Sequence, residues 1–393
     1  MEKIFKNFRV IDSSKDELLD VYVVDGMIKE VGKNLDYDCQ VIEGDKRVLL
    51  PAFTDLHAHF RDPGFLYKED LETGSRAALK GGFTSVNLMG NTNPICDNME
   101  VYTYVKDKAK KLDLIDVEQV ITITKGFDGK TLDHLDEIDD TVKFISDDGH
   151  GVYSDLVMYQ AMLKAKEKNI ALTLHEEQKD FSSFDYRLAE DLHTIRDVYL
   201  AGKTGAKVHF SHVSTKDSIE AIRQGKKNGI EVTCEVTPHH ILLSNSDYRV
   251  NPPIRTDEGI RAIIEAIKDG TVDAIATDHA PLSEEDKAKG SPGMVGLESA
   301  FPIAYTTLVG KNKVSIHKLV EIMSERPARI LGHKKGLVEE GYQADFAIVD
   351  LDKEYKFVED EIESKSHNSP FIDMVFKGMI LETYRLGELK YRR

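Results

Sequence analysis

The chain has 393 residues, of which 41% are hydrophobic and 31% charged, and its formal net charge is −17. This length favours a large barrel with a small second domain, and the acidic excess argues against nucleic acid and anionic membranes as partners. The sequence contains no apolar run of about 18 residues or more, so no membrane span is predicted. The polar first residues lack the apolar segment of a signal peptide. Cys39, Cys96 and Cys234 are too widely spaced to suggest disulfides or a thiolate metal site, so we expect a reduced cytoplasm as the location.

Residues 1–50 have the pattern of short strands joined by tight turns. The run LLDVYVVDGMIKEVG places Asp25-Gly26 between two apolar stretches, which is a hairpin signal. The end of the chain returns to the same texture in YQADFAIVDLD and DMVFKGMILETYRLGEL. We therefore predict a small β-sandwich domain built from both termini, residues 1–50 and 336–393.

Between these segments, apolar β-branched runs alternate with helical stretches. Helices are predicted near positions 67–80, 98–112, 154–168, 188–204, 216–228, 258–269 and 298–308. About eight strand–helix repeats result, which is the number that closes a parallel (β/α)₈ barrel. We assign residues 51–335 to this TIM barrel.

Almost every apolar strand of the predicted barrel ends in a histidine or an aspartate. The residues concerned are His57, His59, Asp147, Asp148, His175, His212, His239, His240, Asp278 and His279. Groups at the carboxyl ends of barrel strands converge on one mouth, and His57 and His59, two apart on an extended segment, point to the same face. Imidazoles and carboxylates without paired cysteines indicate a catalytic site for zinc or a similar divalent ion.

A series of motifs in a fixed order makes the sequence similar to a known family. PAFTDLHAHFRDPGF and KGGFTSVNLMGNTNP are followed by FISDDGHGV, LTLHEE, FSHVST, VTPHH, NPPIR, ATDHAP and GLESAFP. Over essentially the whole chain this series resembles dihydroorotases of the amidohydrolase superfamily, in particular the bacterial type with an aspartate metal bridge. The resemblance implies reversible cyclisation of N-carbamoyl-L-aspartate to L-dihydroorotate in de novo pyrimidine biosynthesis.

The resemblance also implies two divalent metal ions per chain, with zinc expected. The first, more buried ion would be held by His57, His59 and Asp278, and the second by His175 and His212. Many relatives bridge the ions with a carbamylated lysine, but the matching strand end here is SDDG. Spacing to His175 favours Asp148 as the bridge, with Asp147 as the alternative.

The mechanism and the substrate contacts are likewise implied by the resemblance. A hydroxide between the ions would attack the ring amide carbonyl, and Asp278 would take its proton and deliver it to the departing nitrogen. Arg61 would grip the substrate carboxylate bidentately with Asn91 as its partner, while Asn251 and the backbone near Gly296 would make further contacts. The alternatives are a rim salt bridge for Arg61 and a turn position for Asn91.

One position departs from the family pattern. The family reads TDHAPH, whereas this chain has Leu282 in place of the last histidine, and losing a contact to the carboxylate costs about 1.5–3 kcal/mol. His150 or a residue of the polar loop 283–292 is expected to compensate. Leu282 favours an alternative function, that of a hydantoinase, dihydropyrimidinase or allantoinase, but these enzymes use the lysine bridge and lack the arginine at position 61.

A further alternative is an inactive scaffold of aspartate transcarbamoylase, which the filled ligand positions disfavour. For an active enzyme we expect a small-molecule substrate, a homo-oligomer (a dimer), and aspartate transcarbamoylase as a candidate protein partner. The loop LSEEDKAKGSPG is interpreted either as a mobile lid or as a disordered connection.

Overall fold

The structure is a computed structural model that describes residues 2–393. The strands in chain order are β1 (Glu2–Ile11), β2 (Asp16–Val24), β3 (Met27–Gly32), β4 (Gln40–Glu43), β5 (Val48–Pro51), β6 (Phe53–Ala58), β7 (Phe83–Leu88), β8 (Asp116–Gln119), β9 (Phe144–Ile145), β10 (Ala171–Leu174), β11 (Val208–Phe210), β12 (Val232–Val236), β13 (Ala274–Ile275), β14 (Phe346–Lys356), β15 (Val375–Arg385) and β16 (Glu388–Arg392). The α-helices are α1 (Leu71–Lys80), α2 (Met99–Leu112), α3 (Asp155–Glu167), α4 (Lys179–Ser182), α5 (Tyr186–Thr204), α6 (Lys216–Lys227), α7 (Pro238–Leu242), α8 (Asp257–Asp269), α9 (Glu284–Ala288), α10 (Leu297–Ala304), α11 (Ile316–Val320) and α12 (Arg326–Ile330).

Strands β6 to β13 form a closed parallel barrel. Hydrogen-bonded pairing connects β6, β7 and β8 in one group and β9 to β13 in the other. Two parallel bridges, one between Ile121 and Ile145 and one between Ala58 and His279, join the groups at both seams. The predicted (β/α)₈ barrel is confirmed, and it places the carboxyl ends of all eight strands at one mouth.

The helix boundaries follow from local capping. Helix α1 begins at Leu71, later than the predicted start near 67, because the Asp70 carboxylate accepts the amides of Glu72 and Thr73 and fixes the first turn there. Further along the chain, α10 ends at Ala304 and is followed by a π-helical segment. The predicted helix near 298–308 is therefore only partly α-helical.

The two chain termini share one mixed sheet with the order β16-β15-β14-β5-β1-β2-β3, and β4 pairs with β1. The termini meet where β14 pairs antiparallel with β5, which sets Phe346 opposite Pro51. Asp25 and Gly26 turn the predicted hairpin between β2 and β3, both with positive φ, as such a tight turn requires. This sheet has its own hydrophobic core. The division into residues 1–50 with 336–393 and 51–335 stays a prediction.

Within the described residues 2–393, no helix is long and apolar enough to cross a bilayer.

Candidate active site

The six side chains predicted to bind metal lie together at the mouth of the barrel, and all are buried. Each belongs to a strand or to the residues that follow it: His57 and His59 at β6, Asp148 after β9, His175 after β10, His212 after β11 and Asp278 after β13. Parallel strands in a closed barrel explain this convergence, since residues far apart in sequence leave neighbouring strands at the same height.

Asp148 lies between two groups of histidines. Its Oδ1 atom lies 3.2 Å from His57 Nε2, and its Oδ2 atom lies 3.6 Å from His59 Nε2. The same Oδ1 atom is 3.7 Å from His175 Nδ1 and 3.9 Å from His212 Nε2. The donor atoms of each group lie within 4.8 Å of one another, which is compact enough to surround an ion. One carboxylate thus belongs to both groups, as a bridging ligand must.

Asp147, the alternative bridge, has a different environment. Its carboxylate accepts the Thr124 amide at 3.0 Å and also accepts the Thr124 hydroxyl. Burial raises the pKa of Asp147 to about 6, although the bonds from Thr124 oppose the shift. Its oxygens are engaged in holding the preceding loop, and the geometry therefore favours Asp148.

Asp278 approaches the first group only. Its Oδ1 atom lies 3.2 Å from His59 Nε2 and 3.7 Å from His57 Nε2. Both Asp278 and His212 have positive φ, 46° and 36°, and so does Arg61 at 59°. Such backbone conformations are strained for residues other than glycine and cluster at functional sites.

The chemistry of the donor set fits a pair of divalent cations. His57 Nε2 and Asp148 Oδ1 are both buried, lie 3.2 Å apart and make no hydrogen bond. His212 Nε2 faces His175 Nδ1 at 3.0 Å, a close approach of two imidazole nitrogens. Buried polar atoms without partners are costly, and a cation between them removes that cost.

The electrostatics of the site favour ionised carboxylates. Burial opposes the charge on Asp148, but the charge of His57 and the hydrogen bonds from His212 and His57 together outweigh it and hold the pKa of Asp148 well below its usual range. Burial also opposes the charge on Asp278, whose pKa is nevertheless lowered by the hydrogen bond from His59 and the charge of His57. Ionised oxygens are the form that binds a cation.

Two glutamates that sequence reasoning missed orient the histidines. Glu235 Oε1 lies 3.3 Å from His57 Nδ1, on the side of the ring away from Asp148. Glu177 Oε2 lies 3.2 Å from His175 Nε2 and accepts the Asn251 side-chain amide at 3.1 Å. A carboxylate behind a metal-binding imidazole fixes its tautomer and its orientation. Glu235 had a signal in the sequence, because an ionisable residue interrupts the buried strand VTCEV.

A cavity of about 250 Å³ adjoins the two groups and is also lined by Arg61, Asn91, His150 and Asn251. Arg61 Nη1 donates to Asn91 Oδ1 at 3.5 Å, whereas Arg61 Nε is buried without a partner. The His150 ring stacks on Phe127 with centroids 4.1 Å apart. The cavity is therefore small, and the positively charged Arg61 forms part of its wall.

Leu282 is buried and does not line this cavity. Its backbone amide donates to Asn368 Oδ1 at 3.1 Å. Asn368, from the segment between β14 and β15, also donates to the carbonyls of Ala280 (3.2 Å) and Gly293 (3.1 Å), two residues that do line the cavity. A side chain of the C-terminal segment thus holds the cavity wall in place, and no local sequence pattern indicates this.

The polar loop 283–292 is folded and contains helix α9. Lys287 Nζ donates to the carbonyls of Arg249 at 2.7 Å and Gly293 at 2.9 Å. The interpretation as a disordered connection is therefore wrong, and lid motion stays a prediction.

Gly296 is the one predicted substrate contact that the structure separates from the others. Its amide donates to His279 Nδ1 at 3.1 Å, and it does not line the cavity. The amide of Gly296 itself is therefore already used inside the barrel wall, whereas Pro292 and Gly293 line the cavity, and a substrate contact from the backbone near Gly296 stays a prediction. Two other strand-end histidines, His240 and His279, also have protein partners: His240 Nε2 faces the Pro252 carbonyl at 3.1 Å, and His279 Nε2 faces Glu69 at 3.3 Å.

An eight-stranded barrel with paired histidine–aspartate groups at its mouth defines a metal-dependent hydrolase of the binuclear class. The sequence model of the Amidohydrolase family matches residues 48–390. The dihydroorotase of Clostridium botulinum (strain Eklund 17B / Type B) is 52% identical, with all of both chains covered, and that of Acetivibrio thermocellus is 38% identical over 99% of each. The chain belongs to the amidohydrolase family and, within it, to the dihydroorotases.

The solved structures that it resembles confirm the fold. L-hydantoinase (dihydropyrimidinase) from Arthrobacter aurescens superposes with a TM-score of 0.91 at 24% identity, over 98% of this chain and 95% of the other. Dihydropyrimidinase from Brevibacillus agri gives 0.90 at 21% identity, over 100% and 95%. At this identity the likeness concerns the barrel and the terminal domain, not the substrate.

Proposed function

We propose that the chain is a dihydroorotase that interconverts L-dihydroorotate and N-carbamoyl-L-aspartate. The observation that carries this proposal is the buried, unpartnered Nε of Arg61 in the wall of a small cavity beside the ligand groups. A guanidinium matches a carboxylate bidentately, and dihydroorotate carries a ring carboxylate that dihydrouracil and hydantoin lack. The names of the full-length relatives agree with this substrate.

The residues at the mouth would hold two divalent cations, which we propose to be zinc. His57, His59 and Asp278 would hold one, His175 and His212 the other, and Asp148 would be shared. When bound, the cations lower the pKa of water and polarise the amide carbonyl. Imidazole and carboxylate ligands without thiolates are the donor set of catalytic zinc sites.

In this proposal Asp278 moves the proton. It lies at the edge of the cavity and approaches only the first ligand group, which leaves it open toward the substrate. Its carboxylate accepts the proton that the attacking water loses and then donates it to the amide nitrogen as the ring opens. In the direction of cyclisation the same carboxylate first accepts the proton of the amide nitrogen and then donates it to the departing water.

Where the family has a histidine that contacts the substrate carboxylate, this chain has Leu282, and His150 makes that contact instead. The backbone amides of Ala280 and Gly293 in the cavity wall are already bonded, at 2.8 Å and 3.1 Å, to neighbouring carbonyls. Of the polar loop, Pro292 reaches the cavity and has no donor. His150 therefore supplies the additional side-chain donor, held in orientation by its stacking on Phe127.

The test is hydrolysis of L-dihydroorotate beside dihydrouracil and hydantoin by purified zinc-loaded protein. We expect a clear preference for dihydroorotate in kcat/KM. Preference for the rings without a carboxylate would assign the chain to the hydantoinase class. No turnover of any ring, with about two zinc ions bound per chain, would contradict both cyclic amidohydrolase proposals.

A further inference from the structure

A series of polar side chains in contact with one another runs from the candidate metal site into the interior of the barrel. His57 Nδ1 lies 3.3 Å from Glu235 Oε1, and the second oxygen of that carboxylate, Oε2, lies 3.0 Å from His209 Nε2. His209 Nδ1 in turn lies 2.8 Å from the Thr233 hydroxyl. The first three side chains are between 0% and 3% exposed. We call His57, Glu235, His209 and Thr233 the barrel network.

The strand register explains why these side chains meet. His209 on β11 is paired with Thr233 on β12, and Glu235 follows Thr233 by two residues, so the three side chains share one face of the sheet. That face is the inner one, because Glu235 reaches His57 on β6 although β13 lies between β12 and β6 in the barrel wall. The barrel network therefore crosses the interior and is built from strand residues alone.

A histidine and a glutamate in this position need an explanation. Barrel interiors are filled mainly by branched apolar side chains, and a buried polar group is costly unless it is hydrogen-bonded. Both ring nitrogens of His209 have partners, and each oxygen of Glu235 faces an imidazole nitrogen. Apolar side chains would fill the same space without this requirement. The barrel network is therefore explained by what it holds in place, which is the His57 ring.

We propose that His209 is a positioning residue of the metal site and acts on His57 through Glu235. A carboxylate has no proton to donate, so Oε1 accepts the Nδ1 proton of His57 and Oε2 accepts the Nε2 proton of His209. The other nitrogen of the neutral His209 ring is then an acceptor for the Thr233 hydroxyl. With its proton fixed on Nδ1, His57 presents the Nε2 lone pair on the side of Asp148, 3.2 Å away. This inference rests on the proposed two-cation site.

His209 lies away from the proposed substrate. It does not line the cavity at the mouth of the barrel. Together with Thr233 it lines a separate cavity of about 310 Å³ at the amino-terminal end of the barrel, where the exposed residues Lys207 and Glu231 precede β11 and β12. An effect of His209 on the metal site must therefore pass through Glu235, and a comparison of variants can isolate that path.

The test measures zinc affinity by chelator competition on the full-length protein with His209→Leu and His209→Gln. Leucine removes the donor to Glu235 and leaves Oε2 unpaired, which weakens the hold of the carboxylate on His57, so zinc affinity should fall about 10-fold. Glutamine can donate its side-chain amide from a position close to that of the imidazole Nε2 and should restore most of the affinity. In a Glu235→Gln background, His209→Leu should cause little further loss, because both residues act on His57 through the same contact.

The matched control is His134→Leu. It removes another buried imidazole, whose Nε2 faces the Thr122 carbonyl at 2.9 Å and which is not part of the barrel network. This variant should lower the thermal midpoint and leave zinc affinity unchanged, which separates a general loss of stability from an effect on the metal site.

The outcomes separate this inference from the proposed function. Unchanged zinc affinity in His209→Leu, or a loss that adds fully to that of Glu235→Gln, would overturn the role of His209 and leave the proposed function intact. A wild-type protein that binds no zinc would overturn the proposed site and this inference with it. If the variants do not fold, NMR of zinc-loaded wild type with nitrogen-labelled histidine decides: a proton on Nε2 of His209 supports the inference, and a proton on Nδ1 alone overturns it.

Discussion

Substitution of Arg61 by methionine should separate the substrates of this site by their charge. The guanidinium lines the cavity, makes one long hydrogen bond to Asn91 and, among the described residues, no ion pair. Methionine keeps an unbranched apolar chain but removes all donors. Since a hydrogen bond to a charged group is worth about 1.5–3 kcal/mol, kcat/KM for L-dihydroorotate should fall by about 10- to 150-fold.

The assay compares kcat/KM of wild type and Arg61→Met on L-dihydroorotate and on dihydrouracil, which has the same ring without the carboxylate. We expect the loss on the first substrate and little change on the second. The thermal midpoint should stay unchanged, because no salt bridge is broken. Equal losses on both substrates would show that Arg61 supports the barrel rim and does not bind a carboxylate, and the reasoning from its unpartnered Nε would then be wrong.

Four further predictions follow from the geometry. Asp278→Asn should reduce kcat by more than about 10³-fold while the circular dichroism spectrum is retained, because the amide can neither accept nor return the proton. Glu177→Gln should weaken zinc binding by about 10- to 100-fold in a chelator competition, because the carboxylate behind His175 is lost. His150→Ala should raise KM for L-dihydroorotate more than it lowers kcat, and His150→Asn should restore part of the affinity. Glu118→Gln should lower the thermal midpoint at pH 7, and the difference from wild type should shrink as the pH is lowered from about 4.5 toward 2. Burial opposes the charge on Glu118. The hydrogen bond from His333 and the charges of Lys106 and Lys143 nevertheless lower the pKa of Glu118 from 4.5 to about 2. The stability that this carboxylate contributes is therefore present above the unfolded-state pKa and is lost as the pH falls through the folded-state value.

Each of these predictions has an outcome that contradicts it. Substantial activity in Asp278→Asn would move the proton-transfer role to another group. Unchanged zinc affinity in Glu177→Gln would show that this carboxylate binds Asn251 but does not support His175 as a metal ligand. Equal effects of His150→Ala on dihydroorotate and dihydrouracil would show that His150 does not contact the substrate carboxylate and does not compensate for Leu282. A midpoint difference for Glu118→Gln that is independent of pH would show that its charge does not stabilise the fold.

The clustering of the candidate metal ligands could be predicted from the sequence, because histidines and aspartates follow the predicted strands and a parallel barrel brings the ends of these strands together. The carboxyl ends of the parallel strands meet at one mouth of the barrel, so His57, His175 and His212 lie together although long segments separate them. The sequence alone does not separate Asp148 from Asp147 by their contacts. It depends on which carboxylate the Thr124 loop engages, and that contact spans more than twenty residues.

The supporting contacts could not be predicted because they depend on packing between distant segments. Asn368 holds residues 280–282 from more than eighty positions away, and an asparagine in a loop carries no signal of such a role. The exposed residues Leu156, Tyr159 and Leu163 of α3 show a related limit. Their spacing of i, i+3 and i+7 identifies an apolar side of the helix, but only the structure shows that this side faces away from the barrel.

Fold similarity and substrate choice are separate matters in this chain. The hydantoinase from Arthrobacter aurescens shares the whole fold at a TM-score of 0.91, so the barrel alone does not distinguish among cyclic amides. The distinguishing features are individual side chains: an aspartate shared between the ligand groups, and an arginine whose Nε has no protein partner. Leu282 does not counter them, because it is buried and does not line the cavity. In the function that we propose, the substrate is therefore selected by Arg61 and His150, and not by the position where the family pattern is broken.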